Sequence, residues 1–197
     1  MNNVKTNKMS TNSLVLCAVM TALVVILQFM GAFIKLGPFS VSLVLIPIVI
    51  GAATCGAGAG AWLGLVFGMV VLLSGDASAF LAVNVVGTII TVLAKGIACG
   101  YFAGLTYKLL EKHNRYAAVI AAALICPVVN TGVFLLGCPI FFMDTVTAWA
   151  QAAGLGENVG KFMIFGLVGG NFIFELVLNI IVSPVIVRLL NIRKNQK

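Results

Sequence analysis

Two ionisable residues interrupt long apolar segments of the sequence, and they are the residues best placed to do chemistry. Lys95 stands about 15 residues into one segment and Glu175 about 14 residues into another. If both segments are helices that cross a membrane, a rise of about 1.5 Å per residue puts both side chains near the midplane. Ionisable residues at that depth usually face the interior of a helix bundle and have a partner. Lys95 and Glu175 therefore either pair with each other or contact a polar substrate.

Side-chain amides extend this polar group. Asn171, Glu175 and Asn179 follow one another at intervals of four, so they share one face of a helix. Asn84 and Asn130 lie in two other apolar segments and can converge with Asn171 above the ionisable pair. A cavity with apolar walls and a few directed amides suits a small hydrophilic ligand, whereas hydrogen bonds between helices would need no ligand. We predict that substrate is bound by Asn84, Lys95, Asn130, Asn171 and Glu175.

The composition shows which elements must position these residues. The chain has 197 residues, of which 61% are hydrophobic and only 9% charged, whereas soluble domains are about 45–50% apolar and about 25% charged. A soluble globule could not hide so much apolar surface. With about 20 residues per transmembrane helix, the apolar residues fill about six spans. The composition excludes a soluble enzyme and a nucleic-acid-binding domain.

The apolar segments predict an all-α fold, a compact bundle of six transmembrane helices that occupies the whole chain as one domain. The predicted spans are about 13–33, 39–53, 57–73, 80–107, 116–136 and 161–190. With the N-terminus inside, nine of the twelve basic residues lie on the cytoplasmic side, and only Lys35 and Lys161 lie outside. A five-span arrangement would place Lys108, Lys112 and Arg115 outside. We therefore predict that both termini are cytoplasmic.

Glycines recur every four residues in two of the predicted spans. In lipid, helices associate mainly by close packing, which small residues allow. The repeats predict that spans three and four pack tightly, through Gly56, Gly60, Gly64 and Gly68 on one helix and Gly96, Gly100 and Gly104 on the other.

Several kinds of chemistry have no motif in this chain. It contains no phosphate-binding loop, no H-E-x-x-H and no G-x-S-x-G, and its single histidine, His113, lies in a charged loop. The five cysteines form no C-x-x-C and are expected to pack as small apolar residues. We predict no catalytic activity, no metal site and no cofactor on this chain. If transport is driven by ATP, another chain must hydrolyse the nucleotide.

The segment 137–160 mixes aromatic, small and acidic residues, which is typical of a short interfacial helix. It is expected on the outer side of the membrane, where it could cover a cavity together with the preceding loops. We predict an outer gate formed by Lys35, Asp76 and Trp149.

With these features in place, the sequence resembles the S component of an energy-coupling factor (ECF) transporter, a membrane subunit that binds a vitamin. Six short spans, the absence of an ATPase and a polar outer cavity are shared features. Ala18-x-x-x-Ala22 in span one looks like the family's docking motif, and the run 39–52 is similar to its second helix. The glycine-rich segment 58–68 and the polar end of span six also fit. The resemblance covers nearly the whole chain.

The resemblance implies a function and partners. Such a subunit captures a water-soluble vitamin from outside and docks through Ala18 and Ala22 on a transmembrane T component. Two cytoplasmic ATPases then power its toppling in the membrane, which releases the vitamin inside. The resemblance points to a prokaryotic plasma membrane, with ATP used only by the partners.

The branch that the chain most resembles carries folate, pantothenate and riboflavin. The run 39–50 contains no acidic residue, which argues against riboflavin, and Lys35 and Lys95 favour an anion. Pantothenate is the favoured substrate, with folate or riboflavin next. The alternative is a self-sufficient secondary transporter or channel that uses Lys95 and Glu175 for ion coupling, although the sequence shows no two-half repeat. An intramembrane enzyme is a third alternative, and it lacks any motif.

Overall fold

Helices make up nearly all of the chain that the computed structural model describes, which is residues 11–32, 35–36, 39–40, 42–156 and 158–195. The helices are α1 (Thr11–Gly31), α2 (Leu45–Cys55), α3 (Ala57–Leu73), α4 (Ser78–Leu81), α5 (Val85–Leu110), α6 (Arg115–Phe141), α7 (Met143–Ala152), α8 (Val159–Lys161) and α9 (Gly169–Asn195). A seven-residue π-helix, Phe162–Val168, joins α8 to α9. The all-α prediction is confirmed for the described residues, apart from two short strands.

The two strands form a small hairpin ahead of α2. Strand β1 (Lys35–Leu36) pairs antiparallel with β2 (Phe39–Ser40). The second apolar helix therefore begins at Leu45, several residues after the predicted start near Phe39. Apolar residues suit a strand as well as a helix, so hydrophobicity alone misplaced this boundary. Pro47 lies in the first turn of α2, where its missing N–H would have no partner within the helix.

Helices α3 and α5 approach each other along a glycine seam, defined here as Gly60 and Gly64 on α3 with Gly96 and Gly100 on α5. A Cβ atom added at Gly64 would overlap the carbonyl oxygen of Gly96, and one added at Gly60 would overlap that of Gly100. The predicted tight packing of these helices is confirmed. Gly56 has a different role: its φ of +96° turns the chain between α2 and α3, and a Cβ there would face open space.

The short helix α2 lies at the centre of the bundle, in contact with α1, α3, α5, α6 and α9. Its side chains Leu45, Ile48 and Val49 are fully buried and pack with Leu63 and Phe67 of α3. A second, smaller apolar cluster forms where α6 and α7 meet. The bundle therefore has an apolar core around α2 and a separate cluster rich in aromatic residues.

Four helices are long and apolar enough to cross a membrane: α1, α5, α6 and the continuous helix Val159–Arg188. Helices α2 and α3 are also apolar but shorter. Many large apolar side chains on the long helices are exposed, among them Val15, Ile26, Phe29 and Ile181, as expected for surfaces that face lipid. The predictions of six spans and of cytoplasmic termini stay predictions.

Candidate functional site

A cavity of about 480 Å³, counting the open space at its mouth, lies among α3, α5, α6 and α9. Its walls include Phe67, Phe134 and Phe172, and we call it the polar lobe because its other lining residues include Ser42, Asp76, Lys95, Asn130, Thr131, Asn171 and Glu175. Four of the five predicted substrate-binding residues thus line one cavity.

Lys95 enters the polar lobe from α5 between two aromatic rings. Its Nζ lies 5.6 Å from the ring centroid of Phe67 and 5.8 Å from that of Phe134. Ring faces attract a cation through their negative quadrupole. Lys95 and Glu175 line the same cavity, but the structure shows no direct ion pair between these two described residues. The ammonium N–H groups are therefore not committed to Glu175.

Glu175 is held by the chain that leads into α2. Its Oε1 accepts a hydrogen bond of 3.2 Å from the backbone N–H of Ser42, and the side chain is only 4% exposed. One turn later, Asn179 Nδ2 donates to the backbone oxygen of Glu175 at 2.8 Å. Asn179 is buried but is not among the lining residues of the polar lobe. The shared face of α9 therefore divides into cavity residues and a residue that bonds within its own helix.

Asn171 and Asn130 present unpaired amide atoms to the polar lobe. Their side chains are 7% and 5% exposed, and Asn171 Oδ1, Asn171 Nδ2 and Asn130 Oδ1 have no hydrogen-bond partner among the described residues. Leaving a buried polar group unpaired costs about 1–3 kcal/mol, so such groups are rare in native proteins. A polar ligand or water in the cavity would supply the missing partners.

Asn84 lies apart from this group. It is the N-cap of α5, where its Oδ1 accepts a hydrogen bond of 2.9 Å from the backbone N–H of Gly87. It is not among the lining residues of the polar lobe. Position explains the difference, because an asparagine immediately before a helix pairs with the free N–H groups of the first turn.

The predicted gate residues have different surroundings. Asp76 lines the polar lobe, and its Oδ2 accepts a hydrogen bond of 3.4 Å from Gln28 Nε2 of α1. Trp149 lies on α7, a helix within the segment where an interfacial helix is predicted, and its ring packs edge-on against Phe80 at 5.4 Å. The side chain of Lys35 lies outside the described residues. The gate itself stays a prediction.

Sequence reasoning missed several residues that shape the site. Gln28 is a polar residue inside an apolar span, and Thr131 follows Asn130, so both carried a signal. Ser42 contacts Glu175 through its backbone N–H, which no side-chain pattern announces. Phe67 and Phe134 hold Lys95 with their ring faces, and nothing in the sequence distinguishes them from other buried aromatic residues.

The described residues contain no group of three or more His, Cys, Asp or Glu side chains that could hold a metal ion. Their five cysteines are all free thiols.

Comparison with models of protein families identifies the family of this chain. The family model of the ECF transporter, substrate-specific component, matches residues 12–187. The chain belongs to this family. No curated protein is significantly similar to it. It is accordingly a multi-pass membrane protein and the substrate-binding S component of an importer, rather than an enzyme. S components normally work with a T component and ATPases.

On this S component, Ala18 and Ala22 are exposed on α1, one turn apart. The opposite face of the helix is buried against the bundle through Met20, Val24 and Gln28. Two small exposed residues at this spacing leave room for close approach by another helix. Their role in docking stays a prediction.

Proposed function

We propose that this S component binds a water-soluble vitamin in the polar lobe, taking it from outside and delivering it to the cytoplasm. The observation that carries the proposal is the pair of buried asparagines, Asn130 and Asn171, whose unpaired amide atoms line the cavity. Family membership supports the role in import, and the amides indicate where the substrate is held. Glu175, anchored by Ser42, adds a carboxyl oxygen acceptor to the lining of the same cavity.

Pantothenate is the favoured substrate, with folate or riboflavin next. Pantothenate and folate are carboxylates, and the ammonium group of Lys95 is available to meet one because it forms no direct ion pair with Glu175. A charge-assisted hydrogen bond of this kind is stronger than one between neutral groups. Riboflavin lacks a carboxylate, so it gains least from Lys95.

The energy for import comes from partner subunits in this proposal. A transmembrane T component receives the exposed face of α1 at Ala18 and Ala22, and two cytoplasmic ATPases hydrolyse ATP. This chain binds no cofactor of its own. The complex lies in a prokaryotic plasma membrane.

A thermal-shift screen of the detergent-purified full chain tests substrate binding directly. Pantothenate, folate, riboflavin and other water-soluble vitamins are each added in excess. A ligand that binds only the folded state raises its stability by about 4 kcal/mol at a thousandfold excess over Kd. We expect a clear rise in Tm with one vitamin, pantothenate first. The absence of a shift with every vitamin would contradict the proposal.

Docking is tested by the double variant Ala18→Trp with Ala22→Trp. We expect it to abolish vitamin uptake in cells that co-express the T component and ATPases, because two indole rings prevent close approach of a partner helix. Vitamin binding by the purified variant should be unchanged. Ile181→Trp is the matched control, since it enlarges an exposed side chain on α9 and should leave uptake intact. Loss of vitamin binding in the double variant would count against a docking role, and wild-type uptake without ATPases would favour a secondary transporter.

A further inference from the structure

A second cavity, of about 370 Å³ when the open space at its mouth is counted, adjoins the polar lobe. The two cavities share four lining residues, Val71, Asp76, Lys95 and Phe134. The other lining residues of the second cavity are mainly apolar, and we call it the apolar lobe: Ala77, Phe80, Thr88, Thr91, Val92 and Phe142. The proposed function uses only the polar lobe, so the apolar lobe has no assigned role.

Thr91 gives the apolar lobe one unpaired polar atom. Its side chain is 4% exposed, and its Oγ1 has no hydrogen-bond partner among the described residues. Thr88, one turn earlier on α5 and in the same lobe, differs because its Oγ1 donates to the backbone oxygen of Asn84 at 2.7 Å. A helical threonine normally satisfies its hydroxyl in that way. The hydroxyl of Thr91 is therefore buried at a cost that a ligand in the lobe would remove.

Lys95 stands where the two lobes meet. It lines both, and its Nζ lies over the ring of Phe134, which also lines both. An ammonium group carries three hydrogen-bond donors and no acceptor. A molecule that extends from one lobe into the other would pass this group and could place a carbonyl or carboxylate oxygen against it.

We infer that the apolar lobe is a second subsite for the substrate, an inference that rests on the proposed function. The substrate class is an elongated organic molecule with two unlike ends. One end is rich in hydrogen-bonding groups and pairs with Asn130 and Asn171. Where the two lobes meet, the molecule presents a carboxylate or carbonyl oxygen to Lys95. The other end is apolar, with a single hydrogen-bonding group that meets Thr91 Oγ1.

The two lobes select against molecules with the wrong ends. A molecule that is polar throughout would bury unpaired groups against Phe80, Val92 and Phe142, which is unfavourable. A molecule that is apolar throughout would leave the amides of the polar lobe without partners. Discrimination of this kind is strongest where a buried polar group of the protein would be left unpaired.

The test compares Thr91→Val with Thr88→Val, two changes of nearly equal shape on one helix. The affinities of the purified full-length variants for pantothenate, folate and riboflavin are measured by titration, and Tm is measured without vitamin. Thr91→Val should weaken binding of the recognised vitamin by about fivefold to tenfold, the worth of one hydrogen bond. It should raise the Tm of the unliganded protein slightly, because it removes a buried hydroxyl group that has no hydrogen-bond partner among the described residues. Thr88→Val should lower that Tm and change the affinity by less than about twofold, since its hydroxyl is already paired.

The outcomes separate this inference from the proposed function. If wild type binds a vitamin and Thr91→Val binds it equally well, the subsite is rejected and the proposed function stands. A fall in the Tm of unliganded Thr91→Val would show a structural role for the hydroxyl and also reject the subsite. If wild type binds none of the water-soluble vitamins in the thermal-shift screen, both are rejected. Should Thr91→Val fail to fold, Thr91→Ser and Thr91→Ala repeat the comparison with and without the hydroxyl, and only Thr91→Ser should retain wild-type affinity.

Discussion

The glycine seam and the polar lobe meet on the same helix, α5, yet they are built on opposite principles. At the seam, Gly96 and Gly100 bring the backbone of α5 against α3 with no space for a side chain. In the polar lobe, Lys95, immediately before Gly96, faces a cavity where buried amides lack partners. The seam gains stability from contact, whereas the lobe gives up stability to keep groups ready for a ligand. Stability and binding should therefore respond to different substitutions.

The largest expected effect is on the stability of the seam. Gly64→Ala adds a methyl group that overlaps the carbonyl oxygen of Gly96, so α3 and α5 must separate. We expect the free energy of unfolding in detergent to fall by about 3 kcal/mol. Gly58→Ala is the matched control on α3, because a Cβ there meets nothing within 4 Å. The control should gain up to about 1 kcal/mol from better helix propensity. Similar free energies of unfolding for Gly64→Ala and Gly58→Ala would contradict the stabilising role that we give to the glycine seam.

A somewhat smaller effect is expected on binding in the polar lobe. Asn171→Ala should weaken vitamin binding by about 2 kcal/mol, or about thirtyfold, because two hydrogen bonds to the ligand are lost. The unliganded protein should keep its Tm, since neither amide atom of Asn171 has a partner among the described residues.

Asn179→Ala provides the contrast on the same helix face. It removes a hydrogen bond to the backbone of Glu175 but lines no part of the polar lobe. We expect a lower Tm and an unchanged Kd, measured by titration in detergent. If Asn179→Ala weakened vitamin binding more than Asn171→Ala, the ligand would lie closer to the C-terminal end of α9 than we propose.

The smallest effect on stability is expected at Asn84. The sequence analysis grouped this residue with the substrate-binding site, whereas the structure places it at the N-terminal end of α5. Asn84→Ala should lower the free energy of unfolding by about 1 kcal/mol, the usual cost of losing an N-cap. Its vitamin affinity should equal that of wild type, and Asn84→Asp should retain the cap and the stability. A loss of affinity in Asn84→Ala would return this residue to the binding site.

The sequence predicted those parts of the site that depend on polarity in an apolar segment. Lys95 and Asn171 stand out because burying them is costly, and the four-residue spacing of the glycines is enough to indicate close helix contact. The same rule also selected Asn84, whose side chain caps the first turn of α5 and is not among the lining residues of the polar lobe, so its role in binding stays a prediction. The rule could not find Ser42, which acts through its backbone N–H. The sequence analysis missed the apolar lobe because nothing in the sequence distinguishes Phe80 and Phe142 from other buried aromatic residues.

The π-helix Phe162–Val168 determines which way the polar face of the last helix points. A π-turn holds about one residue more than an α-turn, and each residue of an α-helix advances the direction of its side chain by about 100°. This segment therefore sets the rotational phase of everything after it, including Asn171 and Glu175. Deletion of one residue from this segment, with the rest of the sequence unchanged, would turn these side chains away from the cavity and toward lipid. The identity of the binding face thus depends on the length of a segment that carries no charged or amide side chain.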